Sequence, residues 1–148
     1  MTVDPEHPWQ TLPTRKRWLL ALCGALLWIG LATAGNLHPD DRGWGTHQQL
    51  GLPTCSLMTW FGKRCPVCGM TTSWANLVQG CPRQALKASI GGTALALIAA
   101  GGGLWLLVSA AHGAWWLAEP GEVWMRRAAC AGAAWVAFEW GLRLTGWM

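Results

Sequence analysis

The chain has 148 residues, of which 52% are hydrophobic and only 12% charged. That charged share lies far below the roughly 25% of soluble domains, and the basic residues behind the formal charge of +4 are scattered, which excludes a nucleic-acid footprint. Thirteen Trp against two Phe and no Tyr point to a bilayer surface, where an apolar ring meets water at its N–H.

Residues 1–17 read as a polar tail, with Pro5, Pro8 and Pro13 in it. Arg15-Lys16-Arg17 then abuts an uncharged apolar run from Trp18 to Ala34. Its length is near the lower limit of about 17 residues for a spanning helix, so a first span is expected over 18–35. A basic start, an apolar middle and Ala32-Thr33-Ala34 also describe a signal-like segment with a small-residue cleavage site. Trp28 favours the retained helix. Cys23 inside the run is expected to act as a small apolar residue.

Residues 36–87 form a cysteine loop with a short helix. His38-Pro39-Asp40-Asp41-Arg42-Gly43 is turn chemistry throughout. Cys55 to Phe61 is expected as a short helix half-buried at, or re-entrant from, the bilayer surface. The most distinctive stretch follows: Cys65-Pro66-Val67-Cys68-Gly69-Met70-Thr71. Pro66 fixes φ, and Gly69 permits a tight turn. Behind it Met70, Trp74, Leu77 and Val78 recur at helical spacing, and Gly80-Cys81-Pro82 stops the helix. Thr71, Thr72 and Ser73 put hydroxyls at its start. A helix N-terminus, with Lys63 and Arg64 nearby, is expected to favour a thiolate at the cysteine pair.

Arg83 and Lys87 precede the longest apolar run. Ala88 to Ala118 carries no charge, and His112 is its only ionisable side chain, so a second span is expected over 88–117. Gly91-Gly92 and Gly101-Gly102-Gly103 would let helices approach closely in lipid. Glu119-Pro120-Gly121-Glu122 is a turn, and a third span rich in small residues is expected over 124–145. Glu139 and Arg143 are spaced i, i+4. An acid inside the membrane is a functional candidate; the plainer reading is an ion pair at a snorkelling helix end.

The expected architecture is therefore all-α: one integral membrane domain over 1–148, with about three transmembrane helices and a short cysteine-bearing helix between the first two. The dense basic flank Arg15-Lys16-Arg17 orients the first helix with the cysteine loop outside the cytoplasm. Three chemistries suit the Cys-x-x-Cys turn: a redox dithiol, a structural disulfide or a metal knuckle. Ten residues of helix span roughly 15 Å, beyond the 7 Å a disulfide tolerates, so Cys81 is not expected to reach Cys68. A zinc site would need Cys55, Cys65, Cys68 and His47 together. A bond from Cys55 to Cys65 or to Cys68 is simpler to build.

Cys55 followed by Cys65-Pro66-x-Cys68-Gly69-x-Thr71, a short helix and a long apolar helix resembles an uncharacterised family of small bacterial membrane proteins, a domain of unknown function. Its motif reads Cys-Pro-x-Cys-Gly-x-Thr-Arg, and the resemblance covers residues 50–145. The chain departs from it at Ser56 (usually Pro), Thr72 (in place of Arg), Cys81 (in place of an acid) and Ser89-Ile90 (in place of Asn-Pro). The resemblance implies a bacterial membrane protein without an established activity. Two function classes follow. The first is a membrane accessory or scaffold protein of the cytoplasmic membrane with a cysteine-stapled external loop, partnered by lipid and by another membrane protein or a second copy through Gly/Ala-rich faces. The second is a membrane thiol–disulfide oxidoreductase, with Cys65 attacking, Cys68 resolving and Cys55 as shuttle. Its motif-level parallel to quinone-linked enzymes would make quinone the cofactor.

Overall fold

The computed structural model describes residues 12–62, 65–117 and 121–145. Six α-helices make up the regular structure, with no strand among the described residues: α1 (Thr14–Gly35), α2 (Ser56–Phe61), α3 (Met70–Val78), α4 (Pro82–Ala88), α5 (Ile90–His112) and α6 (Glu122–Leu144), plus a 3-10 turn at Thr46–Leu50. Helix α1 begins earlier than the polar-tail reading allowed. Pro13 sits at its N-cap in extended geometry, so Arg15, Lys16 and Arg17 lie inside the helix. Most of the polar tail, residues 1–11, and the loop residues Lys63 and Arg64 lie outside the described residues.

Helices α1 and α5 pack antiparallel. The Leu12 amide donates to the Gly113 carbonyl at 2.7 Å, near the start of one helix and the end of the other. At the far end, Leu31 packs with Ala96 and Ala99. A Cβ on Gly24 would stand 2.9 Å from the Gly103 carbonyl oxygen, so the helices cross where small residues permit it. Gly103 thus serves the role expected of the glycine cluster, whereas Gly101 and Gly102 face open space.

The burial pattern reverses that of a water-soluble core. The buried residues of α5 are all small: Gly91, Gly92, Thr93, Ala96, Ala99, Gly103, Ser109 and Ala110. Its large apolar side chains Leu97, Ile98 and Leu104 are exposed, as are Trp18, Leu22, Leu26 and Ile29 on α1. Outward-facing large apolar residues around a small-residue seam suit a lipid solvent. Both helices are long and apolar enough to cross a membrane. Helix α6 is as long as α5, at 23 residues, but carries Arg126, Arg127 and Glu139, and is not among those apolar enough. Among the described residues two helices therefore have spanning character, where about three were expected.

The long apolar run is also broken. Pro82 starts the separate helix α4, and Ser89, extended at φ −166°, caps α5 by accepting from the Gly92 amide at 3.0 Å. Arg83 and Lys87, which precede the run in sequence, thus sit on a helix of their own. At the other end α5 stops at Gly113 (φ +72°) rather than running on to Ala118. Trp115 there stacks on Trp105 with ring centroids 5.3 Å apart. Trp18, Trp116 and Trp124 are exposed, each next to an end of its helix or in the turn after α5.

Two side chains complement the α5 dipole. Arg17 donates from Nε to the Ala110 carbonyl at 3.0 Å, at the negative end. Glu139, 5% exposed, accepts from the Gly91 amide at 2.8 Å and from Ser89 Oγ at 3.3 Å, at the positive end. Helix α6 packs on α5 alone among the elements. The Arg143 side chain, and with it the expected ion pair, lies outside the described residues.

Candidate functional site

Cys55, Cys65, Cys68 and Cys81 lie in a polar cap built on the end of the helix pair where α1 finishes and α5 begins. Asp40 starts it. Its carboxylate accepts from the Arg42 amide and Nε, both at 2.9 Å, and from Nη2 at 2.6 Å, which holds its pKa down at about 2. The Arg42 guanidinium lies 4.6 Å from the centre of the Trp44 ring. The Asp40 amide donates to Thr46 Oγ1, which shares a 2.8 Å hydrogen bond with Thr72 Oγ1 on α3.

Helix α3 faces the other way from its hydropathy pattern. Thr72, Ser73, Ala75 and Asn76 are its buried residues, while Met70, Trp74 and Leu77 are half-buried and Val78 is exposed. The reason is hydrogen bonding. Ser73 Oγ pairs with Thr93 Oγ1 at 2.7 Å and donates to the Ser89 carbonyl, and Asn76 Nδ2 donates to the Thr72 carbonyl. Satisfied in this way, hydroxyls can be buried cheaply between backbones that pass close together. Trp74 and Leu77 still pack beside Leu31, so the apolar face forms the outer wall against α1.

Three backbones meet at Gly69. It adopts φ +89°, and a Cβ there would lie 2.6 Å from the Ala88 carbonyl oxygen and 2.8 Å from that of Gly43. Gly69 thereby fixes the turn. The Cys68 amide donates to the Cys65 carbonyl at 3.0 Å and the Met70 amide to that of Val67 at 3.2 Å, with Pro66 half-buried between. Cys65 and Cys68 are buried; Cys55, at the N-cap of α2, is half-exposed. Thr71 is half-buried in the first turn of α3.

None of the six cysteines is in a disulfide. Burial pushes the Cys65 thiol up to about 11, helped by its hydrogen bond to the Cys55 thiol and opposed by the Val67 amide. The thiolate expected from a helix N-terminus is therefore not formed at Cys65. Loss of water and a neighbouring thiol outweigh a single amide donor. In reduced protein at pH 8, a thiol at about 11 is roughly one part in a thousand thiolate, against about a quarter for an ordinary one. Cys65, buried and protonated, should alkylate more slowly than exposed Cys81 by well over a factor of about 100, followed by mass spectrometry over time. Equal rates would contradict the buried, protonated site.

His47, on the 3-10 turn, is half-buried. Among the described residues no group of three or more His, Cys, Asp or Glu is placed to hold a metal ion. Cys81, exposed at the N-cap of α4, lines a separate polar cleft of about 570 Å³ with Asp41, Gln79, Gln84 and Lys87. Sequence reasoning singled out Thr72, Ser73 and Glu139 but did not pair them with Thr46, Thr93 and Gly91. Ser89 before an apolar run was a further sign, as a helix N-cap.

The arrangement defines an all-helical protein with two helices of membrane-spanning character beneath a polar, thiol-bearing cap. Residues 55–103, the cap from Cys55 through the first half of α5, match the profile of a family described as a protein of unknown function (DUF2752). This agrees with the resemblance carried by the cysteine turn. No curated protein and no solved structure matches the chain.

Proposed function

We propose that the chain is a multi-pass accessory or scaffold protein of the bacterial cytoplasmic membrane, with its cysteines stapling a cap outside the cytoplasm. Helices α1, α5 and α6 serve as the spans. The packing of α1 along α5 supports a retained first helix, and the hydrogen-bonded seat of Glu139 makes an acid tolerable in the third. Open glycines Gly101, Gly102 and Gly132 offer close approach to another membrane protein or a second copy. The observation that carries the structural role is the buried, protonated Cys65, because an attacking thiol needs thiolate and access.

One experiment on intact cells tests both location and role. After brief reduction, Cys81 is expected to take up a membrane-impermeant maleimide, with any outer membrane permeabilised. Uptake only after lysis of the inner membrane reverses the orientation. From the same cells, quenched in acid without reduction, the Cys68→Ser variant is expected to run on a gel at its own mass. A discrete higher-mass adduct in normally abundant Cys68→Ser, absent from Cys65→Ser, would be a trapped mixed disulfide and would install the oxidoreductase reading instead.

A further inference from the structure

The polar cleft beside Cys81 is lined by neither the cysteine turn nor the helix seam. It opens between the Asp40 loop, α3 and α4, and its volume of about 570 Å³ suits a small ligand. We propose that it binds a phosphoethanolamine group, with the primary ammonium received by Asp41, Asn76 and Gln79 and the phosphate by Lys87 and Gln84. The inference rests on the reading of α1 and α5 as spans and is independent of what the cysteines do.

The polar atoms are sorted by wall. Helix α3 contributes acceptors. Asn76 is 5% exposed, and its Nδ2 is committed to the Thr72 carbonyl at 2.9 Å. Gln79 Nε2 is committed to the Gly35 and Leu37 carbonyls at 3.1 and 2.8 Å. Only the nitrogen of an amide can face a carbonyl in this way, so both side chains are fixed and their oxygens are left for the cleft. Neither oxygen accepts a hydrogen bond among the described residues. Asp41 adds a carboxylate from the loop, where its neighbour Asp40 is already committed to Arg42. Helix α4 contributes the opposite chemistry, with Gln84 and Lys87 spaced i, i+3 as donors. The side chains of Asp41, Gln84 and Lys87 have no bonding partner among the described residues, so the carboxylate and the ammonium do not neutralise each other.

A wall of acceptors facing a cationic wall is complementary to a zwitterion. A primary ammonium brings three N–H donors, and a lysine is a compact point charge suited to phosphate. Place favours phosphate over carboxylate as the anion. Gln79 is tied to the carbonyl of Gly35, the last residue of α1, and Lys87 stands three positions before Ile90, the first of α5. Both walls thus sit at the ends of spans, where lipid headgroups lie. The ligand is the headgroup of phosphatidylethanolamine or a soluble diester of the same chemistry.

The full-length protein in maltoside detergent is titrated with glycerophosphoethanolamine and, separately, with glycerophosphocholine, whose quaternary ammonium has no N–H. Broadening of the phosphorus NMR line reports binding, and the alkylation rate of exposed Cys81 reports its place. At about ten times its half-saturating concentration, glycerophosphoethanolamine is expected to slow Cys81 about tenfold, because labelling follows the empty fraction. Glycerophosphocholine is expected to bind about tenfold more weakly. The exposed substitutions Asp41→Asn and Lys87→Gln should each raise the half-saturating concentration about tenfold, with the thermal midpoint unchanged. In lipid discs, phosphatidylethanolamine in place of phosphatidylcholine should slow Cys81 in wild type and not in the two variants, which makes the lipid the source. Binding of the diester with equal labelling in both discs keeps the site, assigns it to a soluble ligand and withdraws its place at headgroup level. Equal binding of the two diesters, binding untouched by both substitutions, or a titration that changes neither the phosphorus line nor Cys81 would overturn the proposal.

Discussion

Gly69→Ala is expected to abolish accumulation of folded protein. Two costs add at this position. A left-handed residue with a Cβ costs roughly 1–2 kcal/mol wherever it occurs. At Gly69 the new methyl would also stand 2.6 Å from one backbone oxygen and 2.8 Å from another, both held in place by helix α4 and the Asp40 loop. A flexible side chain could move away; two anchored carbonyls cannot. The loss should exceed about 4 kcal/mol, a large share of the 5–15 kcal/mol that holds an ordinary domain folded. Gly51 is the matched control, with φ +76° and nothing within 4 Å of its added Cβ. Gly51→Ala should cost only the roughly 1–2 kcal/mol of backbone strain. Membrane abundance, and the thermal midpoint in detergent, separate the two. Equal shifts for both variants would mean that the three backbones do not meet as described.

The contrast between these glycines shows what the sequence could and could not convey. The Cys65–Gly69 turn, the helix from Met70, its stop at Gly80-Cys81-Pro82 and the apolar helices were legible, because each has a local cause. Prolines, glycines and apolar runs act on their own neighbours. The cap depended on meetings between distant segments. Thr46 finds Thr72 across 26 positions and Glu139 finds Gly91 across 48, and no local pattern announces either. Helix α3 misled for a related reason. Hydropathy assumes that the apolar side turns inward, but in a chain with large apolar residues facing outward the inner positions go to whatever packs closely and hydrogen-bonds. Thr72 is 1% exposed and hydrogen-bonded to Thr46, a place its position in the sequence does not announce. The pull expected of a helix N-terminus on the cysteine turn failed because burial, which sequence does not display, acts on Cys65 more strongly.

Glu139→Leu is expected to release the start of α5 and undock α6. The carboxylate takes the Gly91 amide at 2.8 Å and the Ser89 hydroxyl at 3.3 Å, and the same hydroxyl accepts from the Gly92 amide. Removing the acceptor leaves a buried donor without its partner, at a cost of about 1–3 kcal/mol, and withdraws a charge complementary to the helix N-terminus, worth about 1 kcal/mol more. The approach is close: a Cβ on Gly91 would lie 2.8 Å from Glu139 Oε2, so no bulkier contact takes over. Glu139→Gln keeps a carbonyl acceptor of the same reach and loses the charge, so about 1 kcal/mol is the expected loss. Exposed Glu122, on the same helix, should change to Gln within about 0.5 kcal/mol. The thermal midpoint in detergent should therefore fall in the order Glu122→Gln, Glu139→Gln, Glu139→Leu. Exchange of the Gly91 amide with solvent, followed by NMR in micelles, reports the contact itself and should accelerate in Glu139→Leu alone. An unchanged Gly91 amide would show that α6 does not hold α5 by its first turn, whatever the midpoints do.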